Sequence, residues 1–506
     1  MTWIAMNWTG LPPVLIVLSS LLPGIAIFFL AEERTRLRVA LNLGGAVLKM
    51  ALTILMLWGV WRGQRFEFTF ALLPGADFVL RIDALALLFV TLSSTLWLVT
   101  TVYAIGYLED SPNRSRFFGF FSLCVTATVG IAQAGNLLTL FLFYELLTLS
   151  TYPLVVHRGT DAALDAGRVY LAYAVTAGAV LLAGIAWLYA LAGPFDFAAE
   201  GGALAHVERE HRTALTAIFV LLVGGFGVKA ALVPLHGWLP RAMVAPAPVS
   251  ALLHAVAVVK AGAFGIVRVV YDVYGQTLAV DLGVTTPLAA LAAATILYGS
   301  LQALRQDDLK RRLAYSTVSQ LSYIVLGTAL AGPVATIGGL VHLVHQGLMK
   351  ITLFFCAGNL AETLGVHKIS EMDGAGRRMP WTMTAFTVAA LGMMGAPPVA
   401  GFVSEWYLGV GALAAGQGWA LAVLLVSSAL NASYFLPILH RAWFVERTAP
   451  WPHEEPARSG RLETSLSLLG PAVLTAALSL GAGLLAGLDG SPLGWSRFIA
   501  AQEFPL

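Results

Sequence analysis

Charged residues are scarce in this chain. Asp, Glu, Lys and Arg together make up 11% of its 506 residues, whereas a soluble domain carries about 25%. A soluble protein of this size needs a charged surface, and helices that face lipid remove that need. The net charge of +2 is small, so the composition indicates no bulk attraction to nucleic acid. Scarce charge therefore points away from a soluble enzyme and towards a membrane protein.

Cysteine is nearly absent as well. Cys124 and Cys356 stand far apart in apolar stretches, and no CxxC pair or Cys/His cluster occurs. This argues against an iron–sulfur or structural zinc site. A P-loop and a GxGxxG motif at a strand–helix junction are also missing. We therefore expect no cofactor, no metal and no catalytic chemistry in this chain alone, and leave open whether it serves a proton-pumping oxidoreductase or hydrogenase complex.

Long apolar runs are what the chain has instead. Hydrophobic residues reach 58% and the mean hydropathy is +0.78. A transmembrane helix needs about 20 mostly apolar residues, and this rule predicts an all-α polytopic membrane protein with fourteen spans. Glycine and proline interrupt two of them, 214–235 and 382–410. The predicted spans are 11–31, 39–61, 82–107, 117–135, 137–157, 168–192, 214–235, 246–271, 284–304, 312–331, 333–359, 382–410, 418–443 and 465–488.

Lys and Arg are distributed unevenly between the two sides that these spans define. Nineteen of them, including Arg458 and Arg461, fall in loops on one side, and six fall in loops on the other. Because basic loops stay cytoplasmic, we predict a multi-pass protein of a bacterial-type plasma membrane with both termini outside.

Several ionisable residues stand inside the spans, where each costs roughly 2.5–3.5 kcal/mol. Glu145 lies in the middle of its span, and Lys229 and Lys260 are candidate partners. A Glu–Lys pair that changes protonation when one partner moves is the chemistry that a proton pump needs, and a static ion pair is the alternative. His254 precedes Lys260 by about 120° around one α-helix. We expect these two to be neighbours along a path, with a satisfied core histidine as the alternative.

A polar stripe follows the predicted span 333–359. His342, Gln346 and Lys350 recur every four residues, and His345 lies beside them. Histidine titrates near neutral pH and both accepts and donates protons, so the stripe predicts a relay. Simple hydrogen bonding between helices is the alternative. Hydroxyl side chains on the preceding span are Tyr315, Ser319 and Ser322 on one face, flanked by Ser316 and Tyr323.

Glu405 follows a break in its span. Pro397 and Pro398 free backbone carbonyls, which is tolerated at membrane depth only where protein or water satisfies them. A broken helix with a carboxylate is therefore a candidate gate or exit. The segment 234–238 repeats the Pro, Gly and aromatic spacing of 398–402, and paired broken helices are typical of internal repeats in transporters.

Two further cations, Lys49 and Arg268, stand near the ends of their spans. We expect both to snorkel to the headgroups and leave them out of the path. The predicted proton or ion path consists of Glu145, Lys229, His254, Lys260, His342, His345, Lys350 and Glu405.

Six segments carry a family resemblance. They are Phe143-Tyr-Glu-Leu-Leu147, Gly227-Val-Lys-Ala-Ala231 continuing through Pro234 to Pro240, Pro246 to His254, Lys310 to Ser319, His345 to Gly358, and Gly401-Phe-Val-Ser-Glu405. In combination they resemble the antiporter-like subunits shared by respiratory complex I, Mrp cation/proton antiporters and membrane-bound hydrogenases. The likeness covers about residues 75–445 and is closest in pattern to complex I chain M and the D-type component of Mrp.

The resemblance implies a fourteen-helix fold with two inverted five-helix repeats and discontinuous helices 7 and 12. It places helices 1–3 in 1–113, the repeats in 114–272 and 273–445, and helix 14 in 446–506. By the same resemblance, Glu145 is the helix-5 carboxylate, Lys229 its helix-7 partner, Lys260 the central lysine of helix 8, His254 a helix-8 histidine of some branches, Lys350 the helix-11 lysine and Glu405 the charged residue of helix 12.

Two positions depart from the common pattern. Many members carry Lys on helix 12, whereas this chain carries Glu405, as in the chain M branch. At the start of helix 6, Arg168 stands where the family leads us to expect Lys. Because Arg does not release its proton in proteins, Arg168 is expected to be a fixed charge that tunes Glu145.

These features predict a proton-translocating subunit of a larger membrane complex, with Na⁺/H⁺ exchange left open. The expected partners are other membrane subunits of a complex I-, Mrp- or hydrogenase-like assembly, the lipid bilayer and the transported ions. The alternative is a membrane subunit that energises a partner protein, as in inorganic-carbon uptake, without cation antiport.

Overall fold

The first quarter of the chain combines three long helices with a β-hairpin. A computed structural model describes residues 9–73, 76–108, 111–197, 204, 207–454 and 463–504. Arg458 and Arg461, counted above among the basic loop residues, lie outside the described residues. The elements are α1 Leu11–Phe28, α2 Thr35–Trp61, β1 Phe66–Leu73, β2 Ala76–Ile82 and α3 Ala84–Tyr107.

The next five crossings end in a helix that changes its winding. They are α4 Arg114–Gln133, α5 Leu137–Val155, α6 Asp161–Ala192, α7 Glu208–Lys229 with the short α8 Trp238–Arg241, and finally α9 Ala247–Ala251, a π-helical turn Leu252–Val256, α10 Val258–Arg268 and a second π-helical turn Val269–Tyr274.

The second half holds the remaining crossings and a terminal helix. Its elements are α11 Gln276–Asp281, α12 Thr285–Leu304, α13 Leu309–Ala329, α14 Pro333–Leu364, α15 Ala375–Arg378, α16 Pro380–Met393, α17 Ala400–Ala414, α18 Gly418–Phe444, α19 Leu466–Leu484 and α20 Pro492–Glu503.

The number of crossings agrees with the prediction. In the described chain, twelve helical segments are long and apolar enough to cross a membrane. Of the others, α13 carries many polar side chains, and α16 and α17 have only 14 and 15 residues. Counting α13 and the α16–α17 pair gives fourteen crossings. The two interrupted spans are both broken, as predicted, after Lys229 and between Met393 and Ala400.

Helix neighbours recur in the two halves. In the first, α4 packs on α5, α5 on α6 and α6 on α7; in the second, α12 packs on α13, α13 on α14 and α14 on α17. Each set has five crossings, so the second set begins on the opposite side of the membrane from the first. This order is the one expected of inverted repeats.

Two crossings form the interior of the bundle. The span Ala247–Tyr274, which contains α9 and α10, and the span Pro333–Leu364 of α14 are buried along their whole apolar windows. The other helices surround them. Polar residues on these two spans are therefore shielded from lipid by protein.

The β-hairpin and α20 were not predicted. In the hairpin Phe66 pairs with Ile82 and Phe70 with Phe78. Arg81 fixes it to the loop after α6, because its guanidinium contacts Glu67 at 2.6 Å and Asp196 at 3.0 Å. The alternation Phe66-Glu-Phe-Thr-Phe70 is a strand signal, but a search for 20-residue apolar runs passes over strands this short.

Candidate functional site

Six titratable side chains are buried in the interior of the bundle, and we refer to them as the buried row. They are Lys229, His254, Lys260, His342, His345 and Lys350, and each is at most 1% exposed. Glu145 and Glu405, the first and last members of the predicted path, are only partly buried. The structure thus encloses the basic groups completely, whereas the two glutamates are partly exposed although Oε1 of each carboxylate is buried.

Lys229 is held at a helix end. It is the last residue of α7, where the carbonyl end of the helix favours a cation. Its Nζ donates to the carbonyl oxygen of Tyr144 at 2.6 Å and lies 3.2 Å from the centroid of the Tyr144 ring. The helix stops because Ala231 adopts a left-handed conformation with φ of 56°. Tyr144, which sequence reasoning did not single out, is therefore the main contact of this lysine.

Glu145 lies beside Tyr144 but forms no ion pair with Lys229 within 4.0 Å in the described structure. Its Oε1 has no hydrogen-bond partner among the described residues. A Cβ added at Gly178 of α6 would collide with this carboxylate, so the glycine provides the room that it occupies. The structure therefore places Glu145 and Lys229, the predicted pair, near each other without a static salt bridge between them.

A π-helical turn carries His254. The prediction treated 246–271 as one α-helix, and this is wrong, since the wider turn Leu252–Val256 lies between α9 and α10. His254 packs against Phe354 with ring centroids 4.6 Å apart. Neither ring nitrogen has a partner in the described chain. Lys260 Nζ donates across to the carbonyl oxygen of Leu343 on α14 at 2.7 Å.

The stripe on α14 is buried as a whole and faces α13 and α17. His342 Nδ1 lies 2.9 Å from Ser404 Oγ, and its ring stacks on Tyr323 with centroids 5.1 Å apart. Lys350 Nζ donates to Ser316 Oγ at 2.6 Å. Neither nitrogen of His345 has a partner in the part of the chain described.

The hydroxyl groups that contact this stripe are not the three that were predicted to share one face of α13. Ser319 instead hydrogen-bonds Ser300 on α12 at 2.9 Å, and Ser322 bonds its own helix backbone. The two residues treated as flanking, Ser316 and Tyr323, are the ones in contact with the stripe. Helical spacing shows which residues of α13 share a face, but it does not show which of these faces packs against α14.

Glu405 lies just after the break between α16 and α17. Its Oε2 accepts a hydrogen bond from Ser428 Oγ at 2.8 Å, and its Oε1 has no partner among the described residues. Gly395, with φ of 74°, faces the carboxylate closely enough that a Cβ there would clash with it. Both carboxylates of the path therefore sit against a glycine.

Unpartnered polar groups are present along the row and also elsewhere in the protein. In the described chain they include Glu145, His254, Gln320, Tyr323, His342, His345, Gln346 and Glu405. A buried polar group without a partner costs about 1–3 kcal/mol, and native proteins keep few of them. The groups along the row therefore have hydrogen-bonding capacity that helix packing does not use. Among the described residues, no group of three or more His, Cys, Asp and Glu is arranged to hold a metal ion.

The snorkelling prediction is wrong for both Lys49 and Arg268, which are 0% and 1% exposed. Lys49 occupies the centre of the 27-residue α2, too far from either end to reach the headgroups. Arg268 is near a helix end but turns inward, where it contacts Asp83 at 2.8 Å and Asp272 at 3.1 Å.

Arg168 lies apart from the carboxylate that it was expected to tune. It is exposed near the start of α6, while Glu145 faces Gly178 of the same helix. Ten residues separate these two positions of α6, which is about 15 Å along the axis. Any influence of Arg168 on Glu145 would act over that distance, and its tuning role stays a prediction.

Two family models match the chain. The model described as NADH:quinone oxidoreductase/Mrp antiporter, TM, covers residues 134–431, and the one described as NADH-Ubiquinone oxidoreductase (complex I), chain 5 N-terminus, covers residues 75–118. Together they span the broken helices and the buried row.

Similar proteins and folds belong to multisubunit membrane complexes. The NADH-quinone oxidoreductase subunit N of Desulforudis audaxviator is 36% identical over 476 residues, 91% of this chain and 93% of that protein. The D component of the Na(+)/H(+) antiporter of Bacillus subtilis is 29% identical over 410 residues, 80% of each chain. A chain of the Mrp complex from Dietzia sp. has the same fold, with a TM-score of 0.86 at 24% identity over 99% and 98% of the two chains.

Proposed function

This chain belongs to the NADH:quinone oxidoreductase/Mrp antiporter family, and from that premise we propose that its buried row conducts protons across the membrane. The observation that carries the proposal is the combination of six buried basic groups on α7, the π-helical turn Leu252–Val256, α10 and α14 with unpartnered polar atoms on that turn, α13 and α14. Ionisable residues at membrane depth are expensive and mark ion pathways. A row of them is difficult to explain by helix packing alone.

Lys229 and Glu145 form the movable step of this path. The lysine has a backbone carbonyl and an aromatic face as partners, and the nearby carboxylate is not bound to it. When Glu145 approaches, the ammonium is stabilised by the opposite charge; when it withdraws, the ammonium releases its proton more easily. The break after α7 supplies the hinge that such a movement needs.

The stripe on α14 continues the path. Histidine can accept a proton on one ring nitrogen and release it from the other, and both nitrogens of His345 are free to do so within the described chain. Lys260 bonds a carbonyl oxygen of α14, which links the two interior spans. Glu405 then provides the last acceptor beside the second helix break.

Neighbouring membrane subunits would cover the surface beside the two glutamates. Glu145 is partly exposed between Leu142 and Leu149, which are 40% and 65% exposed, and Glu405 lies beside Trp406, which is 60% exposed. A partly exposed glutamate is costly next to lipid, so we infer that partner helices lie over this surface in the assembled complex. The basic loops would face the cytoplasm.

The experiment compares isosteric variants in the whole complex, reconstituted in vesicles. Proton movement is followed with a fluorescent pH dye after a proton gradient is imposed and Na⁺ is added. Glu145→Gln and Lys229→Met should each lower transport at least about 10²-fold, the scale on which a positioned proton-transfer group contributes. Glu33→Gln and Lys368→Met, at exposed loop positions, are the matched controls and should leave transport unchanged.

Undiminished transport in both Glu145→Gln and Lys229→Met would overturn the proposal. The same vesicles address the choice of ion, because the buried carboxylates suit either H⁺ or Na⁺. Replacing Na⁺ by K⁺ or choline should abolish gradient collapse in a Na⁺/H⁺ exchanger and leave it unchanged in a protein that moves protons alone.

A further inference from the structure

A second group of hydrogen-bonded polar side chains lies outside the buried row, among α1, α2 and α4. Lys49 is fully buried at its inner end, and its Nζ donates to Ser20 Oγ at 2.7 Å. The hydroxyls of Ser20 and Thr126 are 2.8 Å apart, and Thr126 donates to the carbonyl oxygen of Ser122 at 2.9 Å. Three helices therefore contribute polar groups around one lysine at mid-membrane depth.

The hydrogen bonds continue from this group to the loop between α1 and α2. Ser122 Oγ donates to Asn42 Oδ1 at 3.2 Å, and Asn42 Nδ2 donates to the carbonyl oxygen of Arg38 at 3.1 Å. Arg38 in turn donates to Ser115 Oγ at 2.8 Å and to the carbonyl oxygen of Glu32 at 3.1 Å. The Glu32 side chain is 42% exposed. Polar contacts thus extend from the aqueous surface to Lys49, and we call this set of residues the Lys49 network.

No carboxylate balances this lysine among the described residues. The helices α1 and α3 contain no Asp, Glu, His, Lys or Arg, and the titratable groups of α3 are two tyrosines. Within α4 the titratable groups are two arginines of its first turn and the thiol of Cys124. An ammonium without a counter-ion at this depth is expensive. Lys49 therefore lacks the counter-ion that would hold it permanently in its charged form.

Trp97 supplies the remaining contact. The centroid of its ring lies 4.9 Å from Lys49 Nζ, and the indole is fully buried. Its Nε1–H has no acceptor in the described part of the chain. The ring face stabilises the lysine when it is charged, so the environment offers something to both protonation states.

We propose that Lys49 is a proton-binding site separate from the buried row, loaded from the loop that carries Glu32. A proton from the solvent at that loop is passed inward and forms an N–H bond with the amine lone pair, and its conjugate base stays in the solvent; the resulting ammonium is held by Ser20 Oγ and the Trp97 ring. The hydroxyls of Ser20 and Thr126 both donate and accept, so they can pass a proton along. Arg38 does not release its proton and therefore provides a fixed positive charge near the loop between α1 and α2.

The test uses Trp97 as a local reporter in the whole complex. Absorbance of the indoles is recorded as pH is varied across the range in which the complex stays folded. The wild-type protein should show a one-proton transition that is lost in Lys49→Met, because a charge appearing beside an indole shifts its spectrum. Trp97→Phe should also remove it. Trp58→Phe is the matched control, since Trp58 lies on the same helix as Lys49 and has the guanidinium of Arg62 over its ring at 4.0 Å, a charge that does not titrate.

Superimposable pH curves for wild type and Lys49→Met would overturn the proposal. If Lys49→Met does not assemble, Ser20→Ala replaces it: the lysine remains but loses its hydrogen-bond acceptor, so the midpoint should move, and an unmoved midpoint refutes the site. The transition should persist in Lys229→Met. A failure of the central path and a failure of the Lys49 site are therefore separate results.

Discussion

Gly178 of α6 makes room for the carboxylate of Glu145 on α5. A Cβ at this position would collide with Oε1 of the glutamate. Gly395 has the same relation to Glu405, at a residue whose φ is 74°. In each half of the chain, a glycine thus allows a carboxylate to lie between two helices.

The first prediction concerns Gly178→Ala. In a helix interior, Ala is normally more stabilising than Gly by about 0.8–1.0 kcal/mol, yet here the new methyl group must displace Glu145. We expect Gly178→Ala to displace the flexible end of Glu145, which should impair transport and offset part of the normal gain in stability. In a Glu145→Ala background the same change should be more stabilising, and thermal melting of the four proteins measures this coupling. Gly224→Ala, on α7 where nothing lies within 4 Å of an added Cβ, is the control and should be stabilising in both backgrounds.

A second prediction concerns the buried ion cluster of Arg268. The guanidinium is 1% exposed and bridges Asp83 and Asp272 at 2.8 and 3.1 Å. Arg268→Met leaves Asp272 buried without its cation, and breaking such a pair costs about 3–5 kcal/mol. We expect a large loss of thermal stability, which Asp272→Asn should partly restore in the double variant. Arg377→Met, which removes an exposed pair with Glu446, should change stability by no more than about 1 kcal/mol.

The length of the apolar runs explains which parts of the fold could be predicted from the sequence. Bilayer thickness sets the minimum length of a span, so composition alone located the crossings and, through Gly and Pro, both breaks. The hairpin was missed because short strands leave no long apolar run, and the π-helical turn at His254 was missed because its residues fit an ordinary helix equally well.

The contacts within the site depend on which helix faces meet. The sequence places Glu145 and Lys350 at membrane depth, but nothing local to Lys350 indicates that Ser316, rather than Ser319, would be its acceptor. The burial of Lys49 was likewise missed, because it results from α1, α3 and α4 enclosing the centre of α2. Tertiary packing, not residue type, distinguishes a snorkelling lysine from an enclosed one.

A third prediction follows from His157, which lies beyond the end of α5. Burial and the nearby charges of Arg116 and Arg158 lower the pKa of this histidine to about 4. Its unfolded pKa is about 6.5, so below that pH the unfolded chain binds a proton that the folded protein refuses. Stability should therefore be full above pH 6.5 and fall towards pH 4, by at most about 1 kcal/mol between pH 7 and 5.5 after allowance for solvent screening.

His157→Gln removes this titration. The melting temperature of the variant should decline less than that of the wild type over the same acidification. Substitution of the exposed His367 by Gln serves as the control and should leave the slope unchanged. If the melting temperatures of His157→Gln and the wild type decline equally with pH, the folded protein binds this proton as readily as the unfolded chain, which contradicts the prediction.

The last prediction concerns Ser316, the hydroxyl that sequence reasoning placed at the margin. It accepts the hydrogen bond of Lys350 Nζ at 2.6 Å and lies 2.8 Å from the hydroxyl of Tyr434. Among the described residues, Ser316→Ala leaves Lys350 with a longer contact, 3.3 Å, to the carbonyl oxygen of Leu313 and with the ring of Phe435 at 5.9 Å. The loss of one hydrogen bond of about 0.5–1.5 kcal/mol corresponds to about a two- to tenfold loss of transport.

A positioning role for Ser316 also requires the pH profile of transport to move, because the lysine that it positions is a member of the proposed path. Ser316→Thr keeps the hydroxyl and should restore both the rate and the profile. Ser322→Ala, which removes a hydroxyl bonded only to its own helix at Val318 O, should change neither. If Ser316→Ala slows transport with an unshifted pH profile, the serine matters for packing alone, and Lys350 is not a proton carrier whose state it controls.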